Sequence, residues 1–514
     1  MMNFSGPFDQ LPMNWVGDWS GRRAALTPSR AAIIDADAGI QWSYCELDQV
    51  ANAVGGVLSA KGLGQGDVVG LVSGNNIESV LLFLACGKLG LIMAPVSHRL
   101  APKEMGELFA RIDAAVIYTT PEYAKPLEHA GLTETADLYE LCQAGADNPD
   151  TPNCNRPLPL DSPCLYVHTG GSTGLPKICV VTHRQMMWNA IELLVSAPEG
   201  LSSRRELLLF PLFHIGGWNT LLPVLYGGGC VVMLKGFDPA TVLATIARYQ
   251  VDHFGAVEAM LKALVAADDF SGVDLRSVKG ITTAGAACAT SVMRPFFDRG
   301  IPVSQAYGLT EAGPSNCFHS PQDQSIPELM SQADTIGTGF YHCDHQLMDP
   351  ATGKTVVQGE IGELWFRSPH NFSGYLDDPS ANERIFSDEG WVRSGDLAWE
   401  DDQGRLRIVG RLDNVIVSGG ENISAEEIEA VLVEHPAIDG AIVFGQPDPR
   451  WGETPIAQIT VNQAISDQQI KAWLAQRLAR FKHPKVIYIV KTLPLTGAGK
   501  LDRNAAKKQN KDAL

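Results

Sequence analysis

The chain has 514 residues, of which 45% are hydrophobic and 19% charged, and a formal net charge of −18. That composition supplies cores for two to four folded domains. Its acidity argues against nucleic acid and acidic membrane surfaces as partners, so any anion site has to be a local one. The ten cysteines show no C-x-x-C pair and no zinc-finger spacing, and residues 1–9 lack a basic stretch followed by an apolar one. Reduced thiols and a cytoplasmic location are therefore expected. The most apolar run, 80–96, is broken by Lys88 and by glycines. It reads as a buried helix followed by a strand, not as a membrane span.

In chain order, Ala31 to Asp35 is a strand candidate, and Ser43 with Glu46 three residues on is a capping-box start for a helix over 43–58. Strands are expected at 68–72, 91–96 and 115–118, alternating with helices near 76–88 and 102–112. The alternation predicts mostly parallel sheets covered by helices. A loop rich in Pro, Asn and Asp, 145–161, leads into the most distinctive stretch.

That stretch is strand, loop, strand. The β-prone run 164–167 enters Thr169, Gly170, Gly171, Ser172, Thr173 and Gly174, the loop closes with Pro176 and Lys177, and the β-prone run 178–181 leaves it. Glycines let backbone N–H groups approach an anion, the hydroxyls add donors, and Lys177 adds a point charge for phosphate oxygens. It is not a Walker A loop, since the G-x-x-x-x-G-K-[ST] spacing is not met. The letters also contain G-x-S-x-G, Gly170 to Gly174. A hydrolase elbow requires a helix after the serine, however, and here a strand is expected. An ordinary surface loop is the remaining alternative on this stretch alone.

Further on, a helix is expected near 184–194 and a buried strand at 207–210, followed by Phe213, His214 and two glycines. His214 reads either as a structural histidine or as a residue at a strand end facing a cleft. A second strand–helix series, 229–304, contains the small residues Gly285, Ala286 and Ala287, and it ends in Tyr307, Gly308, Leu309, Thr310, Glu311 and Ala312. His342, Cys343 and His345 lie close together but lack a second cluster, and they read as a polar turn. Ser394, Gly395, Asp396, Arg411 and Asp413 follow, then Gly419 and Gly420, and finally Lys500 between Gly499 and Leu501.

The run 169–177 resembles the phosphate loop of the adenylate-forming superfamily, T-S-G-T-T-G-x-P-K-G, with Gly170, Ser172 and Ile178 as departures. Tyr307 to Glu311 resembles its Y-G-x-T-E motif, Gly362 with Glu363 its G-E pair, and Ser394 to Asp396 its T-G-D. The motifs occur in family order over essentially the whole chain, so the chain is identified as a member, similar to the acyl-CoA synthetase branch.

The resemblance implies an α/β fold: a large N-terminal adenylation domain, 1–412, of helix-covered, mostly parallel sheets with a β-barrel-like subdomain, and a small mobile α+β domain, 413–514. It implies ATP, Mg²⁺ and coenzyme A. The loop 169–177 would hold phosphates, Gly285, Ala286, Ala287 and Tyr307 the adenine, and Asp396 with Arg411 the ribose. Thr310 would bind the α-phosphate, Glu311 and Thr173 the metal, and Lys500 would bridge the substrate carboxylate and the α-phosphate. Gly419 and Gly420 would form the pantetheine tunnel, and Asp413 the hinge about which the C-terminal domain rotates between half-reactions. Phe213, His214, Trp218, Gly308 and Ala312 would line the acyl pocket, with His214 gating it, and suggest an apolar fatty or aryl acid. Glu258 stands where the family has a proline; it is either a pocket residue that favours a substrate donor or cation, or a helix-start carboxylate. The expected partners are a small carboxylic acid, ATP and CoA, with an acyl carrier protein or an amine as the alternative acceptor and a homodimer as the candidate assembly.

Overall fold

The computed structural model describes residues 11–148, 150–169, 176–196, 200–418, 421–495 and 501–512. The chain forms two compact units: the first gathers residues up to 171, 175–344 and 367–392, the second 345–366 and 393–514.

The first unit holds two sheets. One has the order Thr338–Gly339, Cys317–Phe318, Val303–Tyr307, Gly280–Thr283, His253–Ala256, Arg205–Leu208, Cys230–Met233, Ala31–Asp35, Ile40–Ser43. Its central strands run parallel. The other has the order Thr135–Asp137, Val116–Thr119, Val68–Val72, Ile92–Pro95, Pro163–Thr169, Lys177–Thr182, parallel except for the last pair, an antiparallel hairpin. The strands Val68–Val72 and Ile92–Pro95 are buried at every residue, as parallel strands covered on both faces must be.

Between the sheets lies helix Ile77–Leu89, buried along its whole length. Its side chains share one core with Ile33 and Val231 of the first sheet and with Val69, Met93 and Leu165 of the second. Asn76 caps its start by accepting from the Ser79 N–H, and Gly90 ends it at φ 72°. The expected capping box is present: Ser43 and Glu46 exchange hydrogen bonds at the start of Tyr44–Ala60. Helix Pro102–Ile112 has the expected limits.

Lys88, which interrupts the apolar run, is fully buried and still paired. Its Nζ lies 2.5 Å from Asp18, the N-cap of helix Trp19–Leu26, and 2.8 Å from Asp48 on Tyr44–Ala60. Ser20 and Asn52 donate to the Asp48 carboxylate at 2.7 and 3.1 Å. One cation thus ties three helices together.

The second unit begins with a four-stranded sheet, Asp344–Met348, Gly362–Arg367, Val392–Glu400 and Leu406–Arg411, where the barrel-like subdomain was expected. It continues into a five-stranded sheet of Glu421–Ser424, Val415–Ser418, Gly452–Val461, Ile438–Asp448 and Val486–Ile489. Helices Ala425–Val433 and Asp467–Ala475 pack on it through Ile428, Leu432, Ile470 and Leu474. Among the described residues no helix is long and apolar enough to cross a membrane.

Burial shapes the acid response. His183 is 1% exposed, and desolvation lowers its pKa to about 4. The native state holds it neutral while the unfolded chain takes up a proton near pH 6.5, so its stabilisation is present above that pH and lost as pH falls towards 4. Relative to His183→Gln, the wild type is expected to lose about 1.4 kcal/mol per pH unit between pH 6.5 and 4. Urea unfolding of both proteins at pH 7.5 and 5 checks this; a constant difference contradicts it.

Candidate active site

Four loops leave the carboxyl ends of neighbouring parallel strands, in sheet order Val303–Tyr307, Gly280–Thr283, His253–Ala256 and Arg205–Leu208. Chain crossovers of this kind leave a crevice at that end of the sheet. Of the sequence-predicted residues, 308–312, 285–287 and 213–214 lie on these loops, Tyr307 is the last residue of its strand, and Glu258 is the first of the helix after His253–Ala256.

Strand Val303–Tyr307 ends in a 3₁₀ turn, Thr310–Ala312. Gly308 has no substitute there: a Cβ would lie 1.7 Å from the Pro314 carbonyl oxygen. Thr310 is buried, and Gln185 donates to its carbonyl at 2.8 Å. The Glu311 carboxylate accepts from the Tyr375 hydroxyl at 2.8 Å, and its carbonyl accepts from the Phe372 N–H at 3.0 Å.

Tyr375 connects this turn to the phosphate-type loop. Strands Pro163–Thr169 and Lys177–Thr182 pair with Thr169 opposite Lys177, so residues 170–176 are the hairpin connection. A strand follows the loop, which removes the hydrolase reading. Residues 373–376 add to the outer edge of Lys177–Thr182: Val180 N–H donates to Gly374 at 2.9 Å and Leu376 N–H to Ile178 at 2.8 Å. Asn382 holds the Tyr375 backbone through its N–H at 2.7 Å and its carbonyl at 3.1 Å. The ring then lies under the Lys177 ammonium, 4.7 Å from Nζ to centroid. A phosphate-type cation and a metal-type carboxylate thus sit on the face and the hydroxyl of one tyrosine. Gly170, Gly171, Ser172, Thr173 and Gly174 lie outside the described residues.

Gly285, Ala286 and Ala287 are exposed just beyond strand Gly280–Thr283, with Gly285 at φ 85°. Beneath them Glu258 accepts from the Ala289 N–H at 3.3 Å and pairs with Lys262 at 2.6 Å. Glu258 opens helix Glu258–Ala266, so the helix-start alternative describes it: both oxygens hold protein groups. These contacts support the helix-start reading; the pocket role for Glu258 stays an expectation.

His214 is the N-cap of helix Ile215–Gly227, its Nδ1 accepting from the Gly216 N–H at 3.2 Å. The strand before it stops at Leu208, so His214 begins a helix and does not end a strand. Phe213 is largely buried, edge-on to His98 and under Arg99. Trp218 requires a correction. It is 0% exposed, donates its indole N–H to Leu212 at 2.6 Å and packs on Phe83 at 4.6 Å, so it supports the loop from the core and does not line a pocket. Ala312 is also fully buried.

In the second unit Asp396 and Arg411 face each other across paired strands at 3.3 Å. Gly395, at φ 70°, turns the chain there, and the buried Glu363 accepts its N–H at 3.1 Å. Asp413 is exposed in the 3₁₀ turn Leu412–Asn414. Ser418 pairs with Glu421, which leaves 419 and 420 as the connection; Gly419 and Gly420 themselves lie outside the described residues.

So does Lys500, but both ends of its segment are fixed. Leu495 bridges Leu501, and Asp502 N–H donates to Pro494 at 2.9 Å. Arg503 anchors the far end on Glu429 at 2.5 Å and Glu426 at 3.0 Å.

Of the histidine–cysteine trio, His342 binds Glu192 at 2.5 Å, Cys343 accepts from Asn316 at 3.5 Å and His345 faces Glu400 at 3.6 Å. Among the described residues no group of three His, Cys, Asp or Glu side chains is arranged to hold a metal ion. Glu311 offers the carboxylate oxygen that Mg²⁺ takes beside phosphate oxygens. Tyr375 was not foreseen from the sequence, and Glu363 was expected only as part of the G-E pair, without a role.

Two family models match the chain: AMP-binding enzyme over residues 21–376, and AMP-binding enzyme C-terminal domain over 427–500. A feruloyl-CoA synthase from an Amycolatopsis species is 33% identical over 491 residues, covering 95% of this chain and 97% of that protein. An indoleacetate–CoA ligase from Aromatoleum aromaticum is 29% identical over 508 residues, covering 95% and 97%. The o-succinylbenzoate CoA synthetase of Bacillus subtilis, solved with its acyl-adenylate intermediate, superposes with a TM-score of 0.85 at 27% identity, over 95% of this chain and 98% of that one. With its phosphate-type lysine and its Thr310–Glu311 turn joined through one tyrosine, this chain belongs to the AMP-binding enzyme family, the adenylate-forming superfamily.

Proposed function

We propose that this protein is an ATP-dependent acid–CoA ligase that activates an aryl acid as its acyl-adenylate and transfers the acyl group to coenzyme A. The observation that supports the reading is the contact set Lys177–Tyr375–Glu311, a lysine and a carboxylate on one ring within the family's motif order. The relatives named as feruloyl-CoA synthase and indoleacetate–CoA ligase favour an aryl over a fatty acid.

Carboxylates are poor electrophiles at neutral pH. In the first half-reaction the carboxylate oxygen attacks the α-phosphorus of ATP and pyrophosphate leaves. No proton moves, so catalysis rests on positioning and charge neutralisation. Mg²⁺ bound by Glu311, and by Thr173 in the resemblance, would neutralise phosphate charge. Thr310 and Lys177 hold phosphate oxygens, and the small exposed residues 285–287 with Tyr307 offer a surface for adenine. Asp396 and Arg411 are assigned to the ribose, a carboxylate being a strong acceptor for paired hydroxyls. In the second half-reaction the CoA sulfur attacks the acyl carbon and AMP leaves. The domain boundary at 412/413, the hinge at Asp413 and the pantetheine role of Gly419 and Gly420 rest on the motif match and on the exposed turn at 412–414. The ten cysteines, all of them free thiols, fit a cytoplasmic setting.

Tyr375→Phe tests the contact set. It removes a hydrogen bond to a charged group, about 1.5–3 kcal/mol. The expected result is a KM for Mg-ATP raised about tenfold or more; an unchanged KM contradicts the role. The function itself is tested by pyrophosphate release from Mg-ATP across fatty, aryl and amino-substituted acids, with and without CoA. Sustained release with an aryl acid and CoA is expected. A single turnover unaffected by CoA would instead mark an enzyme that delivers its acyl group to a carrier protein or an amine.

A further inference from the structure

Glu258 stands where the family has a proline, and one of its carboxylate contacts leaves its own helix. It is the first residue of Glu258–Ala266, and Lys262, one turn on, holds Oε1 at 2.6 Å. Oε2 accepts from the Ala289 N–H at 3.3 Å. Ala289 is the N-cap of helix Thr290–Phe297 and gives that helix no side-chain cap. In a capping box the N-cap N–H is taken by a carboxylate or carboxamide at the third helical position. That position is Val292 here, which has no acceptor, and Glu258 supplies the oxygen from a different helix.

The bond is made where the small residues 285–287, assigned above to adenine, return to the core. Thr283 pairs with Gln305 across neighbouring parallel strands, so Gly285 and Tyr307 leave the sheet at the same level, each two residues on. Residues 285–287 carry one hydrogen and two methyl groups, which form no hydrogen bonds, so this exposed ledge is held from its flanks. On the near flank lies Val257, the residue before Glu258: a Cβ on Gly285 would be 3.9 Å from its methyl group. On the far flank two consecutive N–H groups are taken by two distant side chains. Cys288 N–H donates to Gln305 Oε1 at 3.0 Å, and Gln305 is fixed in turn by its Nε2 on the Ala333 carbonyl at 2.6 Å. Ala289 N–H goes to Glu258. Gln305 and Cys288 are buried, whereas Glu258 and Ala289 lie at the half-buried edge.

We propose that Glu258 is a positioning residue for the nucleotide base: it fixes the exit of the ledge 285–287 so that this flat surface is in place before ATP arrives, and it touches neither ATP nor the acid. The proposal rests on the acid–CoA ligase reading and assigns a role within that same site. Without the carboxylate the ledge occupies its binding position for only part of the time, and apparent affinity falls by that fraction. The phosphate groups are supported separately, Lys177 by Tyr375 and Thr310 by Gln185, so the loss is confined to the base.

Glu258→Pro removes the carboxylate and keeps the fold. Proline is favoured at the first helical position, and Val257 before it is already extended, at φ −82° and ψ 160°. Titration of the full chain with Mg-ATP and with Mg-tripolyphosphate separates base binding from phosphate binding. The Kd for Mg-ATP is expected to rise about five- to tenfold, and that for Mg-tripolyphosphate to stay within about twofold. Glu258→Ala, which leaves the backbone unconstrained, is expected to show the same split. Glu258→Gln keeps an oxygen for the Ala289 N–H and is expected to stay within about threefold of wild type for both ligands. Equal losses for the two ligands, an unchanged Kd for Mg-ATP in the Pro and Ala variants, or a loss in Glu258→Gln as large as in Glu258→Ala overturns the proposal and leaves the ligase reading standing. So does a raised KM for the acid with Mg-ATP binding intact, which would place Glu258 in the acyl pocket. A wild type that binds Mg-ATP no better than Mg-tripolyphosphate and releases no pyrophosphate with any acid overturns the ligase reading and this proposal with it.

Discussion

Replacing Lys500 by alanine is expected to slow acyl-adenylate formation by about 10²–10³-fold while ATP binding stays within a few-fold of wild type. In the attack on the α-phosphorus, negative charge from the carboxylate and the phosphate converges before pyrophosphate departs, and a single ammonium between them acts mainly in the transition state. In the proposed reading ATP affinity draws on other groups: the loop ending in Lys177, the Thr310 turn and Asp396. The segment that carries Lys500 is held at both ends, by the Leu495–Leu501 bridge and by Arg503 on Glu426 and Glu429, so truncating the lysine leaves its supports in place. Single-turnover adenylate formation together with ATP titration separates the two effects. Adenylation near the wild-type rate contradicts the assignment, and equal loss of binding and rate points to a damaged fold.

Lys88→Met is expected to destabilise the first unit by about 3–5 kcal/mol without touching the site. The methionine fills similar volume in a fully buried helix but leaves Asp18 and Asp48 facing each other without their shared cation. Removing one member of a buried ionic group strands the others, which costs more than the intact group contributes. Adding Asp18→Asn to Lys88→Met is expected to recover part of the loss, since one stranded charge disappears. Urea unfolding measures both. A loss under about 1 kcal/mol, or no recovery in the double variant, contradicts the account.

Much of the fold was legible because its signals are local. Ser43 with Glu46, Asn76 before an apolar run, Pro102 at a helix start and the glycine loop between two β-prone runs each specify their element within a few residues. The Tyr307–Glu311 motif was legible for a similar reason: Gly308 is required by a backbone approach inside the same loop. What was not legible depends on contacts between distant segments. Tyr375 reaches Lys177 and Glu311 because 373–376 adds to a strand edge through main-chain hydrogen bonds, which leave no mark on side-chain pattern. Lys88 looked like a break in an apolar run because its acids lie far off in sequence, at Asp18 and Asp48. Trp218 was misassigned because core and pocket walls use the same aromatic residues, and only packing on Phe83 separates them. Glu258 carried a usable local signal in Lys262 four residues on, the spacing of a helical ion pair.

The most direct test of the central claim is rapid-quench detection of an acyl-adenylate from Mg-ATP and an aryl acid without CoA, followed by addition of CoA. The account predicts one equivalent of enzyme-bound acyl-AMP with matching pyrophosphate, then its conversion to acyl-CoA and AMP when CoA is added. Formation of ADP and phosphate, or acyl-CoA without an adenylate on its path, would contradict it.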